Sequence, residues 1–258
     1  MGPRINLNAD IGEGMGDDEA LLGIVGSANI ACGAHAGDEV TMRRLAGAAS
    51  ALGVEIGAHP GFADRAGFGR REIVMRAADV EALVASQIVA MRDAAAMVGA
   101  RLTHVKAHGA LYNIAARDAD CAEAIGRAVR SVDTALIQIV QAGSEMERAA
   151  ERLGLRAARE AFPDRGYLDD GRLAPRGTPG AEIDDAATAA ERACRMGREG
   201  QAALDAMLDA GAFLEAEEAF GRALSGQELV IARVDVRGDE AGRIRIRAGD
   251  DEAGHVQD

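Results

Sequence analysis

The sequence predicts an α/β fold, a seven-stranded, irregular TIM-like β/α barrel, closed or nearly so. Three observations predict it. Short apolar segments alternate with amphipathic stretches, and glycines mark the joins. The apolar segments are brief and apolar throughout, as strands buried on both faces are. Seven such βα units favour a barrel over an open doubly wound sheet. In either arrangement the site belongs at the carboxyl ends of the strands.

The elements follow in order. The first strand, Ile5 to Ala9, runs into NADIGEGMGDDE, where Asp17 and Asp18 are placed to cap a short helix over Glu19 to Val25. Asp10 precedes that helix by too much to cap it. The second strand is Ala28 to Cys32. A helix over Val40 to Leu52 carries Leu45, Ala49 and Leu52 on one face, and Gly53 stops it. The third strand, Val54 to Ala58, leads to His59. A helix over Val80 to Val98 aligns Val84, Ile88, Met91, Ala95 and Val98 and ends at Gly99. The fourth strand is Leu102 to Lys106 and the fifth Ala135 to Val140. Ser144 and Glu147 have capping-box spacing at the head of a helix to Leu153, which Gly154 ends. The sixth strand is Leu155 to Glu160. Asp184 to Ala223 reads as alanine-rich helix broken near Gly197, Gly200 and Gly211, and a seventh strand falls near Glu228 to Val236. The charged stretch from Arg243 to Asp258 reads as a frayed tail. One barrel domain is expected over 1–258, with a divergent helical and polar part from about residue 184.

Composition narrows the function classes. With 258 residues and 48% hydrophobic content the chain can bury a large core, but only 3% of it is aromatic. The net charge of -13, without a Lys/Arg cluster, repels nucleic acid and anionic lipid, so neither is expected as a partner. Cys32, Cys121 and Cys194 are far apart and form no CxxC, which suggests free thiols in a reducing compartment. No apolar run approaches the roughly 20 residues that span a bilayer. The opening MGPRINLNAD has no signal-peptide core, so a cytoplasmic location is expected.

Four strands stop on protonatable groups. INLNAD ends at Asp10, SANIACGAHAGD at His35 and Asp38, VEIGAHPG at His59, and THVKAHG at Lys106 and His108. Glycines flank the histidines, so backbone there can turn sharply or approach a ligand. A lysine at the inner end of a buried strand is costly unless it meets an acid or an anionic substrate. Asp10, His35, His59, Lys106 and His108 are therefore the expected catalytic set. Glu13 follows the first strand. In FADRAGFGRR, Asp64 and Arg70 belong to a loop over the mouth. In EAFPDRGY, Arg165 is expected to bind a carboxylate while Glu160 or Asp164 orients it. Glu13, Asp38, Asp64, Arg70, Glu160, Asp164 and Arg165 form the expected substrate-binding set. No GxxxxGK[ST] occurs, so no nucleotide site follows from that motif.

LNADIGEG, SANIACGAHAGD, IGAHPGFADRAGFGRR, HVKAHGALYN and EAFPDRGY, in that order, resemble the LamB/YcsF lactam-utilisation family, which supplies the A component of the ATP-dependent 5-oxoprolinases. The resemblance covers residues 4 to about 200. It implies a seven-stranded barrel of the glycoside hydrolase/deacetylase type. It also implies hydrolytic opening of 5-oxoproline to glutamate, with ATP as co-substrate, in a complex with two companion subunits. Asp10, His35, His59, Lys106 and His108 carry over as the site. The chain departs from the family pattern at Ala34, Ala107 and Pro163. It departs more at Val236, Arg237, Gly238 and Asp239, where the family has Val-His-Gly-Asp before a closing helix. That altered end leaves a ligand-binding, non-catalytic chain as one alternative. Another is a metal-dependent, deacetylase-like hydrolase, with Asp10, His35 and His59 as the metal triad.

Overall fold

A computed structural model describes residues 5–15, 18–168, 171–185, 187–193, 195–196 and 229–232. Six parallel strands, each paired with the next in sequence, build a curved wall: β1 (Ile5–Ile11), β2 (Ser27–Ala31), β3 (Glu55–His59), β4 (Leu102–Val105), β5 (Ile137–Gln141) and β6 (Arg156–Ala161). The crossovers carry α1 (Asp18–Leu22), α2 (Glu39–Ala51), α3 (Ala77–Met97), α4 (Gly109–Ala115), α5 (Ala119–Val132) and α6 (Glu145–Leu153). A further strand, β7 (Leu229–Ala232), falls within the span expected at Glu228 to Val236.

The core lies between this wall and its helices. Ile30 and Ile56 point outward from their strands and meet Leu45, Val84, Ile88, Met91, Leu111 and Ile125 in one continuous cluster of buried apolar residues. Residues on a strand alternate between faces, so their neighbours point to the concave side of the wall. There the filling is polar: Asn8, Asn29, His104 and Glu160 are each at most 3% exposed. Gly57 pairs with His104 across β3 and β4, and a Cβ at residue 57 would lie 2.1 Å from His104 Nε2. The missing side chain is what admits an imidazole to the interior.

The six expected strands occur with ends shifted by at most two residues, and Gly53, Gly99 and Gly154 follow α2, α3 and α6 in left-handed conformation as expected. Other expectations need correction. The first helix stops at Leu22 rather than Val25. Asp18 begins it, and its carboxylate accepts from the Gly12 amide (3.0 Å). The capping box at α6 does not form. Ser144 Oγ donates to the Gln141 carbonyl and Glu147 accepts from the Gly143 amide, so each bonds backward, away from the other. Helices α4 and α5 were not anticipated. The buried face of α5 (Cys121, Ala122, Ile125, Ala128 and Val129) has helical spacing, but small residues make up most of it, a weak apolar signal. Asp118 caps it by accepting from the Cys121 amide.

Cys32 and Cys121 are free and buried, and burial pushes both thiols up to about 12, which keeps them unreactive. No helix among the described residues is long and apolar enough to cross a membrane. Asp17, Cys194, most of the stretch Asp184 to Ala223, the Val236 to Asp239 motif and the tail from Arg243 lie outside the described residues.

Candidate active site at the carboxyl ends of the strands

All five expected catalytic side chains meet at the carboxyl end of the strand wall. Strand β1 delivers Asp10 near its end, β3 ends on His59, and the loop after β2 carries His35. Lys106 and His108 extend β4 beyond its last residue. Their amides donate to the carbonyls of Ala58 (2.9 Å) and Pro60 (2.8 Å), which fixes both side chains against β3.

Lys106 is 2% exposed, and its Nζ contacts three acceptors: Glu160 Oε1 (2.8 Å), Asp10 Oδ1 (3.2 Å) and Asn8 Oδ1 (3.2 Å). An ammonium has three protons, so its donor capacity is matched. Burial works against the charge, but Asp10 and Glu160 outweigh it and raise the Lys106 pKa. Burial also raises the Glu160 carboxyl, against the pull of Lys106 and Asn8. Glu160, expected to orient Arg165, is instead the counter-ion of Lys106.

The imidazoles form a second cluster around Glu13. His59 Nδ1 donates to the Lys106 carbonyl (2.8 Å), and His108 Nε2 donates to the Phe68 carbonyl (2.8 Å). Each ring thereby turns its other nitrogen inward. His59 Nε2 and His108 Nδ1 face each other at 3.0 Å. Glu13 Oε1 lies 3.1 Å from His108 Nδ1, 3.2 Å from His35 Nε2 and 3.7 Å from His59 Nε2. Glu13, expected to bind substrate, is the hub of this group.

Burial lowers His35 to about 4, so its ring is neutral at pH 7. Burial alone would raise Glu13, but its bonds to His108 and His35 hold it well below the usual carboxylate range. Burial opposes protonation of His59 as well, yet Asp10 (3.5 Å) and Glu13 prevail and raise it.

Backbone choices make this packing possible. His35 stacks on His108 with centroids 3.7 Å apart and planes 3° from parallel. A Cβ at residue 61 would lie 2.7 Å from His35 Nδ1, and one at residue 69 would lie 2.9 Å from both side chains, so both positions are glycine. Phe68 is the one non-glycine described residue in the left-handed region (φ 54°). That strained turn aims its carbonyl at His108 and sets its ring edge-on to His35 and His108.

Beneath these groups runs a polar layer that the sequence did not reveal. Asn29 Nδ2 donates to Asn8 (2.6 Å) and Asp10 (2.9 Å), and His104 Nε2 donates to Asn29 Oδ1 (2.9 Å). Burial pushes His104 down to about 3, so it is neutral, and Thr103 Oγ1 lies 2.8 Å from its other nitrogen. The signal was present: Asn8 with Asp10, and His104 with Lys106 and His108, stand two apart, as residues on one face of a strand do.

A cavity of about 550 Å³ opens above. Asp10, His59, Lys106 and His108 line it, together with Arg70, Asp164, Arg165 and Arg172. Arg70 lies over the Phe68 ring, 5.0 Å from its centroid. Three expected substrate-binding residues have structural duties. Asp38 caps α2 by accepting from the Thr41 amide (2.8 Å). Asp64 accepts from Arg71 Nε (2.8 Å) and the Gly67 amide (3.0 Å), bracing the loop over the mouth. Arg165 donates to the carbonyls of Ala181 (2.9 Å) and Ala174 (2.7 Å), pinning the loop that follows β6.

Among the described residues the group able to hold a metal ion is Glu13, His35, His59 and His108, whose ligand atoms lie within 4.8 Å of one another. Asp10, expected beside His35 and His59, is outside that group and turns to Lys106 and Asn29.

The sequence profile of the LamB/YcsF family matches residues 5–207. The chain is 51% identical to the A component of the 5-oxoprolinase of Bordetella pertussis (strain Tohama I) over 205 residues, 78% of this chain and 81% of that one. It is 49% identical to the corresponding 5-oxoprolinase component of Rhodopseudomonas palustris (strain BisB5) over 203 residues, 76% of this chain and 80% of that one. The crystal structure of the lactam utilization protein from Thermus thermophilus superposes with a TM-score of 0.74 at 39% identity, covering 89% of each chain.

Proposed function

The chain belongs to the LamB/YcsF family, and from that premise we propose that it opens 5-oxoproline to glutamate by ATP-coupled hydrolysis, as one subunit of a three-component 5-oxoprolinase. The names of its relatives, a 5-oxoprolinase component and a lactam utilization protein, support the substrate class. The single observation that carries the reading is the Lys106–Asp10–Glu160 group at the floor of a cavity with arginines in its wall.

The chemistry follows from the stability of a lactam. Its nitrogen lone pair is delocalised, so water adds slowly. Transfer of the γ-phosphoryl group from ATP to the lactam oxygen, with ADP leaving, makes the ring carbon electrophilic. Water adds to that carbon, the C–N bond breaks, and the nitrogen takes up a proton. The resulting acyl phosphate reacts with a second water to give glutamate and phosphate.

Asp10 is the group we assign to deprotonate the attacking water. Its Oδ1 is engaged by Lys106 and Asn29, while Oδ2 faces His59 and the carboxyl borders the cavity. Lys106 pairs with Asp10 and Glu160 rather than binding the substrate carboxylate, because its donors are matched by protein acceptors. The carboxylate then falls to an arginine of the cavity wall, and Arg70 and Arg172 border that space.

We read the strand wall as a closed seven-stranded barrel of the glycoside hydrolase/deacetylase type. Parallel pairing of β7 with β1 (Ile5 with Leu229) and with β6 (Arg159 with Leu229) supports closure.

The test is glutamate release and ATP hydrolysis from 5-oxoproline, measured with this chain alone and with both companion subunits. Turnover that requires all three components and falls at least ~100-fold in Asp10→Asn supports the reading. A complete complex that hydrolyses neither compound overturns it.

A further inference from the structure

The inner nitrogens of His59 and His108 face each other at 3.0 Å with the Glu13 carboxylate beside them. Both rings spend their N–H on a backbone carbonyl, His59 on Lys106 and His108 on Phe68. In their neutral forms, then, both inner nitrogens present lone pairs. Two lone pairs and a carboxylate oxygen converging in a buried space repel one another unless a proton or a metal ion lies among them.

We propose that Glu13, His59 and His108 bind one divalent transition-metal ion at this point. Donors on a tetrahedral ion with bonds of 2.0–2.1 Å stand about 3.3 Å apart. The three separations here are 3.0, 3.1 and 3.7 Å and bracket that value. Two imidazoles and a carboxylate are borderline donors that suit zinc or cobalt rather than magnesium or calcium. Each histidine ligand also carries the distal hydrogen bond that fixes its tautomer in metal sites.

His35 is a positioning residue, not a ligand. Its ring lies parallel to that of His108, 3.7 Å away, so the in-plane lone pairs of the two rings cannot meet at one ion. Its Nε2 instead donates to Glu13 Oε1 and holds that carboxylate in place. Three protein donors leave a further coordination position, and His59 and His108 both line the cavity. An ion there supplies a Lewis acid for a carbonyl or phosphoryl oxygen.

The proposal stands independently of the ring-opening reading, because uptake is measured without substrate. The full chain, freed of metal by chelation, is titrated with Co²⁺ and followed by visible d–d absorption. Zn²⁺ content after dialysis is measured by elemental analysis. The expected result is one ion per chain, tetrahedral-type cobalt bands and a raised melting temperature. His59→Gln and Glu13→Gln lose more than about 100-fold in affinity, whereas His35→Gln loses about 10- to 100-fold, the range for an orienting partner. Circular dichroism confirms that each variant is folded. A wild-type chain that takes up no ion, with NMR showing one proton shared between His59 and His108, overturns the proposal. A loss in His35→Gln equal to that in His59→Gln overturns the three-donor assignment.

Discussion

Lys106 Nζ lies 2.8 Å from Glu160 Oε1, and the two side chains are 3% and 0% exposed. A pair this dry is held by mutual compensation. Deleting one partner strands the other, whereas replacing both removes the charges together. Lys106→Met is expected to destabilise the chain by about 3–5 kcal/mol in urea unfolding. Lys106→Met combined with Glu160→Gln is expected to recover a large part of that loss while 5-oxoproline turnover stays low in both. A double variant no more stable than the single one shows that Glu160 is not what Lys106 compensates.

Two buried histidines make the fold acid-sensitive. Burial lowers His35 to about 4 and His104 to about 3, against an ordinary value of 6.5. Between those values the unfolded chain binds a proton that the folded chain does not, so stability falls as pH falls. Glu13, whose pKa is lowered, adds a loss of the same sign at lower pH, below 4.5. His59 has the opposite sign, because its raised pKa makes it stabilising in acid and less so as pH rises through the folded value. His104 isolates one contribution. Between pH 6 and 4, the stability of the wild type is expected to fall more steeply than that of His104→Gln, by about 1.4 kcal/mol per pH unit. Parallel slopes show that His104 is protonated in the fold or relieved by water.

The interior position of His104 rests on Gly57. A Cβ there meets the His104 ring at 2.1–2.6 Å, too close for any rotamer change of a methyl group to relieve. Gly57→Ala is expected to cost about 1–3 kcal/mol, the usual range for overpacking. The same substitution in a His104→Ala background is expected to cost little, so a double-mutant cycle gives a coupling of that size. Additive costs would mean that the alanine strains the strand itself rather than the imidazole.

Where the sequence carried the fold and the site, the reason was chemical contrast. Strands ending in Asp10, His59, Lys106 and His108 stand out because polar groups interrupt apolar runs, and all four converge as expected. The helices α4 and α5 were missed because α4 is only seven residues long and small residues make up most of the buried face of α5. Partnerships were harder to read than positions. Glu160 pairs with Lys106 across the strand wall at a separation of 54 residues, and Glu13 of the β1 end reaches His108 beyond β4. Such pairings depend on curvature, which local spacing does not encode. Acids in loops were assigned to substrate because they lie beside site residues in the chain, whereas Asp38 and Asp64 are consumed by backbone amides and Arg71.

Asp38 offers a direct check on that last distinction. It stands three residues after His35, yet its carboxylate accepts from the Thr41 amide at the head of α2, and that bond lowers its pKa. A residue that only caps a helix affects stability and spares chemistry. Asp38→Ala is expected to cost about 1 kcal/mol, while Asp38→Ser or Asp38→Asn, which keep an acceptor, cost about a few tenths. The KM for 5-oxoproline in the complete complex is expected to stay within about twofold of wild type in all three, a difference of roughly 0.4 kcal/mol. A rise in KM that follows loss of charge, greatest in Asp38→Asn and Asp38→Ser relative to their small stability cost, would return Asp38 to the substrate.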